Sequence, residues 1–223
     1  MNKKYLLFGL GLALAASLSA QTTSLDLPSE YLRNNTSGGV NDNLPANLEG
    51  SPYLTDDFVS GMVYTENEKP YPAMMRYNAY QDEMQIQGNN GISTLFMRDY
   101  VWAKVGGEMF KIESYEKGSG TSKGYFVQMN EGETRLLKRY KKVFMEAEPA
   151  TSSYTTDKPA RFDDDIRYYL AREGSPAKEI KLRKKDIEKI LDSKEAQDYI
   201  KKNKLKLRTE EELLQLINYL NAL

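Results

Sequence analysis

The sequence predicts an α+β fold, in which an antiparallel β-rich domain precedes a C-terminal helical segment. From Phe58 onward, short apolar or alternating runs are separated by turn residues, which is typical of an antiparallel sheet. Near the end of the chain, two helix-capping patterns precede apolar stripes. The chain of 223 residues is 40% hydrophobic and 28% charged, enough apolar material for one ordinary core or two small ones.

Residues 1–20 have the pattern of a signal peptide. Lys3 and Lys4 give a basic start, residues 5–16 are uncharged and apolar, and small residues end at Ala20. The run is shorter than the about 20 residues that a transmembrane helix needs. We therefore expect cleavage near Ala20, a periplasmic or extracellular protein, and no integral membrane span.

Residues 21–49 are polar and rich in asparagine and glycine, so we expect a flexible leader that contributes little to a core. Ordered structure is then expected from about Leu48.

The β domain is predicted over residues 50–172. Its predicted strands are 58–65, 73–80, 83–87, 93–97, 101–105, 108–115, 125–129 and 134–140. Gly106-Gly107 predicts a tight hairpin, because both glycines tolerate positive φ. Alternation places Met84 and Ile86 on one face of their strand, so the other face is expected to meet solvent. Residues 146–160 are expected to be a loop that crosses from the sheet to the helices.

The helical segment is predicted over residues 173–223, packed on the sheet. Asp192 and Glu195 have capping-box spacing and predict a helix that ends near Asn203. Thr209 and Glu212 repeat the spacing. The second helix carries an apolar stripe that is expected to be buried, formed by Leu213, Leu214, Leu216, Ile217 and Leu220.

The composition excludes several kinds of site. The chain has no histidine and no cysteine, which excludes disulfides, the usual zinc ligand sets, cysteine nucleophiles and Ser-His-Asp triads. Two Ser-x-x-Lys spacings, at Ser114 and Ser175, occur at the frequency expected by chance and have no partner motifs. The run Asp163-Asp164-Asp165 lacks the alternation of a calcium loop. We predict no catalytic residue, no metal and no cofactor.

The charge is unevenly distributed along the chain. Residues 178–208 hold 12 basic and 6 acidic side chains. Such a basic patch can bind nucleic acid or an anionic envelope surface. The charges alternate in sign around apolar residues, which favours a solvated helix face, and we predict no nucleic-acid partner.

A cluster at a predicted bend is the candidate binding or structural patch. It consists of Arg76, Tyr77, Tyr80, Asp82 and Glu83. As a binding patch it would present aromatic surface beside charged groups. As a structural corner it would pair Arg76 with Asp82 or Glu83 across a turn, and this second interpretation is favoured because it satisfies the charges without a ligand.

Four motifs carry a resemblance that covers about residues 50–223. They are Gly50-Ser51-Pro52-Tyr53-Leu54, RYNAYQDE at residues 76–83, YIKKNKLKL at residues 199–207 and EEL at residues 211–213. Together they resemble an uncharacterised secreted family of Bacteroidota-type bacteria. The resemblance implies a signal peptide, a small strand-rich domain and a C-terminal helical segment, and it implies no activity.

These observations favour an exported, non-enzymatic binding or envelope-associated protein whose partner is an envelope protein or a glycan. Sixteen tyrosines supply the aromatic surface that such binding would use. The alternative is a carboxylate-dependent hydrolase acting on polysaccharide or cell wall, which requires two carboxylates facing each other in a cleft. The sequence leaves the oligomeric state open.

Overall fold

The computed structural model describes residues 27–34, 45, 47–66, 68–89, 91–152, 154 and 156–223. The predicted signal peptide and most of the predicted leader lie outside the described residues. No helix within the described part of the chain is long and apolar enough to cross a membrane.

The described chain forms eleven strands in one sheet, followed by three α-helices. In chain order the strands are β1 (Leu32–Asn34), β2 (Val59–Thr65), β3 (Tyr71–Asn78), β4 (Glu83–Gly88), β5 (Gly91–Leu95), β6 (Val101–Val105), β7 (Glu108–Lys117), β8 (Gly120–Gln128), β9 (Thr134–Met145), β10 (Arg161–Arg172) and β11 (Ser175–Ile180). The helices are α1 (Lys184–Leu191), α2 (Lys194–Lys202) and α3 (Glu210–Asn221). A single 3-10 turn, Ser29–Tyr31, precedes β1.

The first part of the sheet has the order β1-β5-β4-β3-β2-β6-β7, and every neighbouring pair in it is antiparallel. The predicted hairpin at Gly106-Gly107 is confirmed: both glycines have positive φ, 58° and 89°, and Val105 pairs with Glu108. Because this turn is a local signal, the predicted bounds of β6 and the predicted start of β7 both match the structure.

The second part of the sheet is a ring of five strands. Strand β7 pairs with β8, and β8, β9, β10 and β11 follow as antiparallel neighbours. The ring closes where Tyr115 of β7 pairs with Ala177 of β11, and this pair is parallel. A closed ring with an odd number of strands cannot alternate in direction throughout, so one parallel pair is required. The prediction of a purely antiparallel sheet is therefore wrong here, and the sheet is mixed.

Three groups of buried side chains stabilise this arrangement. The first lies on the inner face of β2–β8 and includes Met75, Tyr77, Met84 and Phe110. The second fills the ring, with Tyr115, Phe126, Leu137, Tyr169, Ala171 and Ala177. The third joins the outer face of the ring to the helices through Leu136, Leu170, Ile180, Ile187, Ile200, Leu213, Leu216 and Ile217. The helices therefore cover the ring, as the predicted apolar stripe requires.

The structure differs from the sequence interpretation at two helix ends. Asp192, predicted to begin a helix, is instead the left-handed residue that ends α1, with φ of 41°. Ser193 caps α2, and its hydroxyl accepts a hydrogen bond from the Ala196 N–H at 3.1 Å. The cap at Thr209 is confirmed by the Glu212 N–H bond of 3.3 Å.

Three parts of the chain differ from what the sequence predicts. Strand β1 lies within the predicted leader and pairs with β5, so order begins before Leu48. Strand β10 ends at the predicted boundary at residues 172/173, and its partner β11 lies in the predicted helical segment. The loop at residues 146–160 joins β9 to β10, and so it connects two strands rather than the sheet and the helices.

The burial of α3 gives a first testable consequence. Leu216 is fully buried between the helices and the ring, so Leu216→Asp places an unpaired charge in an apolar core. We expect a loss of at least about 3 kcal/mol in the free energy of unfolding, measured by urea denaturation. Asn218→Asp, at an exposed position of the same helix, is the matched control and should change stability by less than about 0.5 kcal/mol. A wild-type midpoint for Leu216→Asp would contradict the packing.

Candidate functional site

The turn between β3 and β4 is a rigid corner held by a buried asparagine. Asn78 is fully buried, and its side-chain oxygen accepts hydrogen bonds from the N–H groups of Tyr80 at 3.2 Å and Gln81 at 3.0 Å. Its amide nitrogen donates to the Gln81 side chain at 2.8 Å. An asparagine that binds its own backbone in this way stabilises a turn locally. The RYNAYQDE motif therefore folds as a corner of the sheet.

Asp82 ends this corner and faces the ring. It adopts a left-handed backbone with φ of 59°. Its carboxylate accepts hydrogen bonds from Arg139 Nη2 at 2.6 Å, from the Tyr77 hydroxyl at 2.6 Å and from the Tyr125 N–H at 3.2 Å. Three donors satisfy the carboxylate, so its charge needs no ligand.

Arg139 lies inside the ring, where only 6% of the residue is exposed. Its guanidinium is 4.3 Å from the centre of the Tyr115 ring and 5.4 Å from that of Phe126. Burial acts to lower the pKa of Arg139, but the Asp82 carboxylate and the Tyr115 side chain together outweigh burial and raise the pKa. The cation is therefore held by an acid on one side and aromatic rings on the other.

Gly124 is required for this contact. A Cβ atom at residue 124 would lie 2.5 Å from Asp82 Oδ2 and 2.8 Å from Arg139 Nη2. Only glycine allows β8 to pass this close to the ion pair.

The other members of the predicted cluster have separate partners. Arg76 Nε donates to Gln85 at 3.0 Å, and the guanidinium lies 3.6 Å from the Tyr53 ring centre. Glu83 forms an ion pair with Arg33 of β1. The predicted pairing of Arg76 with Asp82 or Glu83 is wrong, because the strand register places Gln85 opposite Arg76.

Tyr80 is the most exposed of the five, with 43% of its surface accessible, and its ring meets Phe162 edge to face at 5.2 Å. The structure therefore brings Tyr77 and Asp82 together and disperses Arg76, Tyr80 and Glu83. The contacts around the corner join parts of the fold.

A different surface presents aromatic groups to solvent. Tyr64 of β2 and Trp102 of β6 are directly opposite each other, with parallel rings whose centres are 6.1 Å apart. Their neighbours in sequence, Val63 and Ala103, are fully buried on the inner face, so Tyr64 and Trp102 lie on the outer face. Both are partly exposed. The helices pack against β9 and β11 instead.

Side chains on the same face of neighbouring strands extend this surface. Met62 lies opposite both Lys104 of β6 and Pro72 of β3, and Met74 lies opposite Ser60. Met74 is 43% exposed. We call Tyr64, Trp102, Met62, Met74 and Lys104 the aromatic face. The sequence does not predict the aromatic face. Alternation around Val63 and Ala103 identifies the outward positions, but it does not show which strands are neighbours.

The three consecutive aspartates of β10 do not form a pair of facing, free carboxylates. Asp163, Asp164 and Asp165 are consecutive on β10 and point alternately to its two faces. Each forms an ion pair with a basic side chain, namely Arg161, Lys142 and Arg167. In the described part of the chain, no group of three or more acidic side chains could hold a metal ion.

Two further carboxylates lie close together, but they are occupied. Lys138 Nζ is 3.1 Å from Glu210 and 3.6 Å from Glu108. The hydroxyls of Tyr168 and Tyr140 donate to these same carboxylates at 2.8 Å and 2.6 Å respectively. Burial, followed by the hydrogen bond to Glu210, raises the pKa of Tyr168 to about 12. These contacts connect Glu210, at the start of α3, to β9 and β10. Lys138 lies between the two acids.

No family model, no curated protein and no solved structure matches this chain. The resemblance to a secreted Bacteroidota-type family stays a prediction.

The ion pair at the corner gives a second testable consequence. Asp82→Ala leaves the buried Arg139 cation without its acid, and we expect a loss of about 3–5 kcal/mol in the free energy of unfolding. The double variant Asp82→Ala/Arg139→Met removes both charges and should recover much of that loss. Asp99→Ala, which breaks an exposed pair with Lys123, is the control and should cost less than about 1 kcal/mol. Urea midpoints for the four proteins decide the matter, and equal stability of wild type and Asp82→Ala would refute the role of the pair.

Buried tyrosines give a third consequence, in alkaline solution. Burial raises the pKa of Tyr77, Tyr125 and Tyr168 above the ordinary value of 10.0. Below pH 10 the tyrosines are neutral in both the folded and unfolded states, so their contribution to stability is complete. Above it the unfolded chain ionises first, and stability should fall as the pH rises from about 10 to 12. Urea midpoints that stay constant over this interval would contradict the burial of these hydroxyls.

Proposed function

We propose that this protein is an exported, non-enzymatic binding protein of the cell envelope that holds a glycan on its aromatic face. The observation that carries the proposal is the parallel pair of partly exposed rings, Tyr64 and Trp102, on an outer sheet face. Export rests on the signal-peptide pattern at residues 1–20.

The chemistry of the face suits a carbohydrate chain. The C–H faces of sugar rings are apolar and pack on aromatic rings, while the Tyr hydroxyl and the Trp N–H provide polar edges for sugar hydroxyls. Met62 and Met74 extend the apolar area beside the rings, and methionine adapts its shape to irregular partners. Lys104 adds an exposed cation, and within the described chain it has no ion-pair partner. An acidic glycan would therefore be favoured over a neutral one.

The shape of the face also supports an extended ligand. Small-molecule sites are concave and bury most of the ligand. The aromatic face is part of a sheet surface, so it suits several consecutive sugar units that lie along the strands. The carboxylates on β10 and around Lys138 give no support to a hydrolase, because basic side chains engage them.

The single tryptophan makes this proposal measurable, because Trp102 is the only one in the chain and lies on the face. The purified protein is applied to an array of bacterial envelope polysaccharides, and each bound glycan is then titrated while Trp102 fluorescence is recorded. We expect saturable binding with a change in emission. Tyr64→Ala should weaken binding by about tenfold, or about 1.4 kcal/mol, since one stacking surface is lost.

Tyr154→Ala is the matched control, because Tyr154 is 98% exposed in the loop between β9 and β10 and lies outside the aromatic face. It should bind as wild type does. Binding that is equally weak in both variants would overturn the assignment of the face. Release of shortened glycan would overturn the non-enzymatic proposal, and capture of an envelope protein through Tyr64 without any glycan would replace the glycan as ligand.

A further inference from the structure

A strip of exposed cations runs from the last turn of α2 along the connection to α3. It consists of Lys201, Lys202, Lys204, Lys206 and Arg208, all exposed, and we call it the basic strip. The strip lies on the helical segment and shares no residue with the aromatic face.

The apolar residues between the cations hold the strip in one orientation. Leu205 is 8% exposed and Leu207 is fully buried, and both pack in the core beneath the helices. Since they alternate with Lys204, Lys206 and Arg208, the buried leucines turn these three cations outward.

The backbone of the strip is also fixed. The Glu212 carboxylate accepts hydrogen bonds from the N–H groups of Lys206 at 3.2 Å and Arg208 at 3.1 Å. These backbone hydrogen bonds lower the pKa of Glu212, so it stays charged near neutral pH. The Glu212 carboxylate thus holds the main chain of the strip, while the side-chain cations are exposed to solvent.

The Lys206 cation interacts with the charge of Glu212, so the strip is not wholly free of acidic neighbours. The ion pairs of the neighbouring helix join Arg183 to Asp186 and Lys184 to Glu188, and none within the described residues includes a cation of the strip. Residues 178–208 carry a net charge of +6, whereas residues 21–177 and 209–223 together carry −9. Residues 201–208 themselves hold five basic and no acidic side chains, so this part of the surface would turn toward an anionic surface.

We propose that the basic strip docks the protein onto the surface of a bilayer that contains anionic phospholipids. Four of its five cations are lysines, whose compact charges suit mobile headgroup phosphates, whereas the planar fork of arginine is preferred where a fixed phosphate is bound by two hydrogen bonds. The nearby Tyr199 and Tyr219 stack on each other at 3.9 Å, so their rings are engaged and do not offer a platform for nucleic-acid bases. This docking does not depend on the glycan proposal.

The test is sedimentation of the full chain with vesicles of phosphatidylglycerol and phosphatidylcholine, compared with vesicles of phosphatidylcholine alone. The difference between the two vesicle types is the readout, because it cancels any apolar contribution from residues 5–16. We expect binding to the anionic vesicles that weakens as salt is added. Lys204→Glu/Lys206→Glu should lower the partition coefficient by at least about 25-fold, from about fivefold for each cation removed.

Lys69→Glu/Lys117→Glu is the matched control, since both lysines are exposed, lie far from the strip in sequence, and change the net charge by the same amount. It should alter the partition coefficient by less than about threefold. An equal loss in both double variants would show only a net-charge effect and would overturn the docking site. Equal binding to both vesicle types would overturn it as well, as would retention on immobilised RNA at a salt concentration that releases the protein from vesicles. Circular dichroism of each variant confirms that the fold is unchanged.

Discussion

The buried ion pair between Asp82 and Arg139 joins the two parts of this sheet. Asp82 belongs to the corner after β3, and Arg139 belongs to β9 inside the ring, 57 residues later in the chain. The Lys142 N–H, which donates to the Ala79 carbonyl at 3.2 Å, adds a main-chain contact between the same two parts. Because Gly124 has no side chain, the Asp82 carboxylate can reach the Arg139 guanidinium, which otherwise packs against aromatic rings. An acid placed anywhere else on the corner would leave Arg139 buried and unpaired.

Local patterns predicted much of this fold, and long-range pairing explains what they missed. Strand β6 matches its predicted bounds because the Gly-Gly turn that follows it is a local signal. Strand β10 was missed because three consecutive aspartates do not look like a strand, yet Asp164 lies opposite Lys142 and Asp165 opposite Lys141. Asp164 forms an ion pair with Lys142, and this contact is visible only once the register is known, whereas Asp163 and Asp165 pair with Arg161 and Arg167 on β10 itself. The same reason explains why the sequence predicts Asp82 or Glu83 as the partner of Arg76, whereas the register places Gln85 opposite it.

The two proposed binding surfaces differ in how far they can be predicted from the sequence. The basic strip follows from alternation over a few residues, so its charge bias could be read directly, although the burial of Leu205 and Leu207 could not. The aromatic face requires knowing that Tyr64 and Trp102 are cross-strand neighbours, although 38 positions separate them in the chain. One surface lies on the meandering strands and the other on the helices, so each can be altered without disturbing the residues of the other. A protein with two such surfaces could hold a polymer close to a lipid surface.

The parallel pairing of Tyr115 with Ala177 has a consequence for the order in which the molecule forms. Strand β7 can pair through short turns with β8 along one edge and, near its start, with β6 along the other. The rest of that second edge waits for a strand that begins nearly sixty residues later. Contacts between such distant residues form slowly, because the intervening chain has to be ordered first. Until β11 arrives, the end of β7 is an open edge with unpaired backbone groups that another chain could occupy. Association between newly synthesised molecules is therefore the main hazard of this topology, and completion of the C-terminal third removes it.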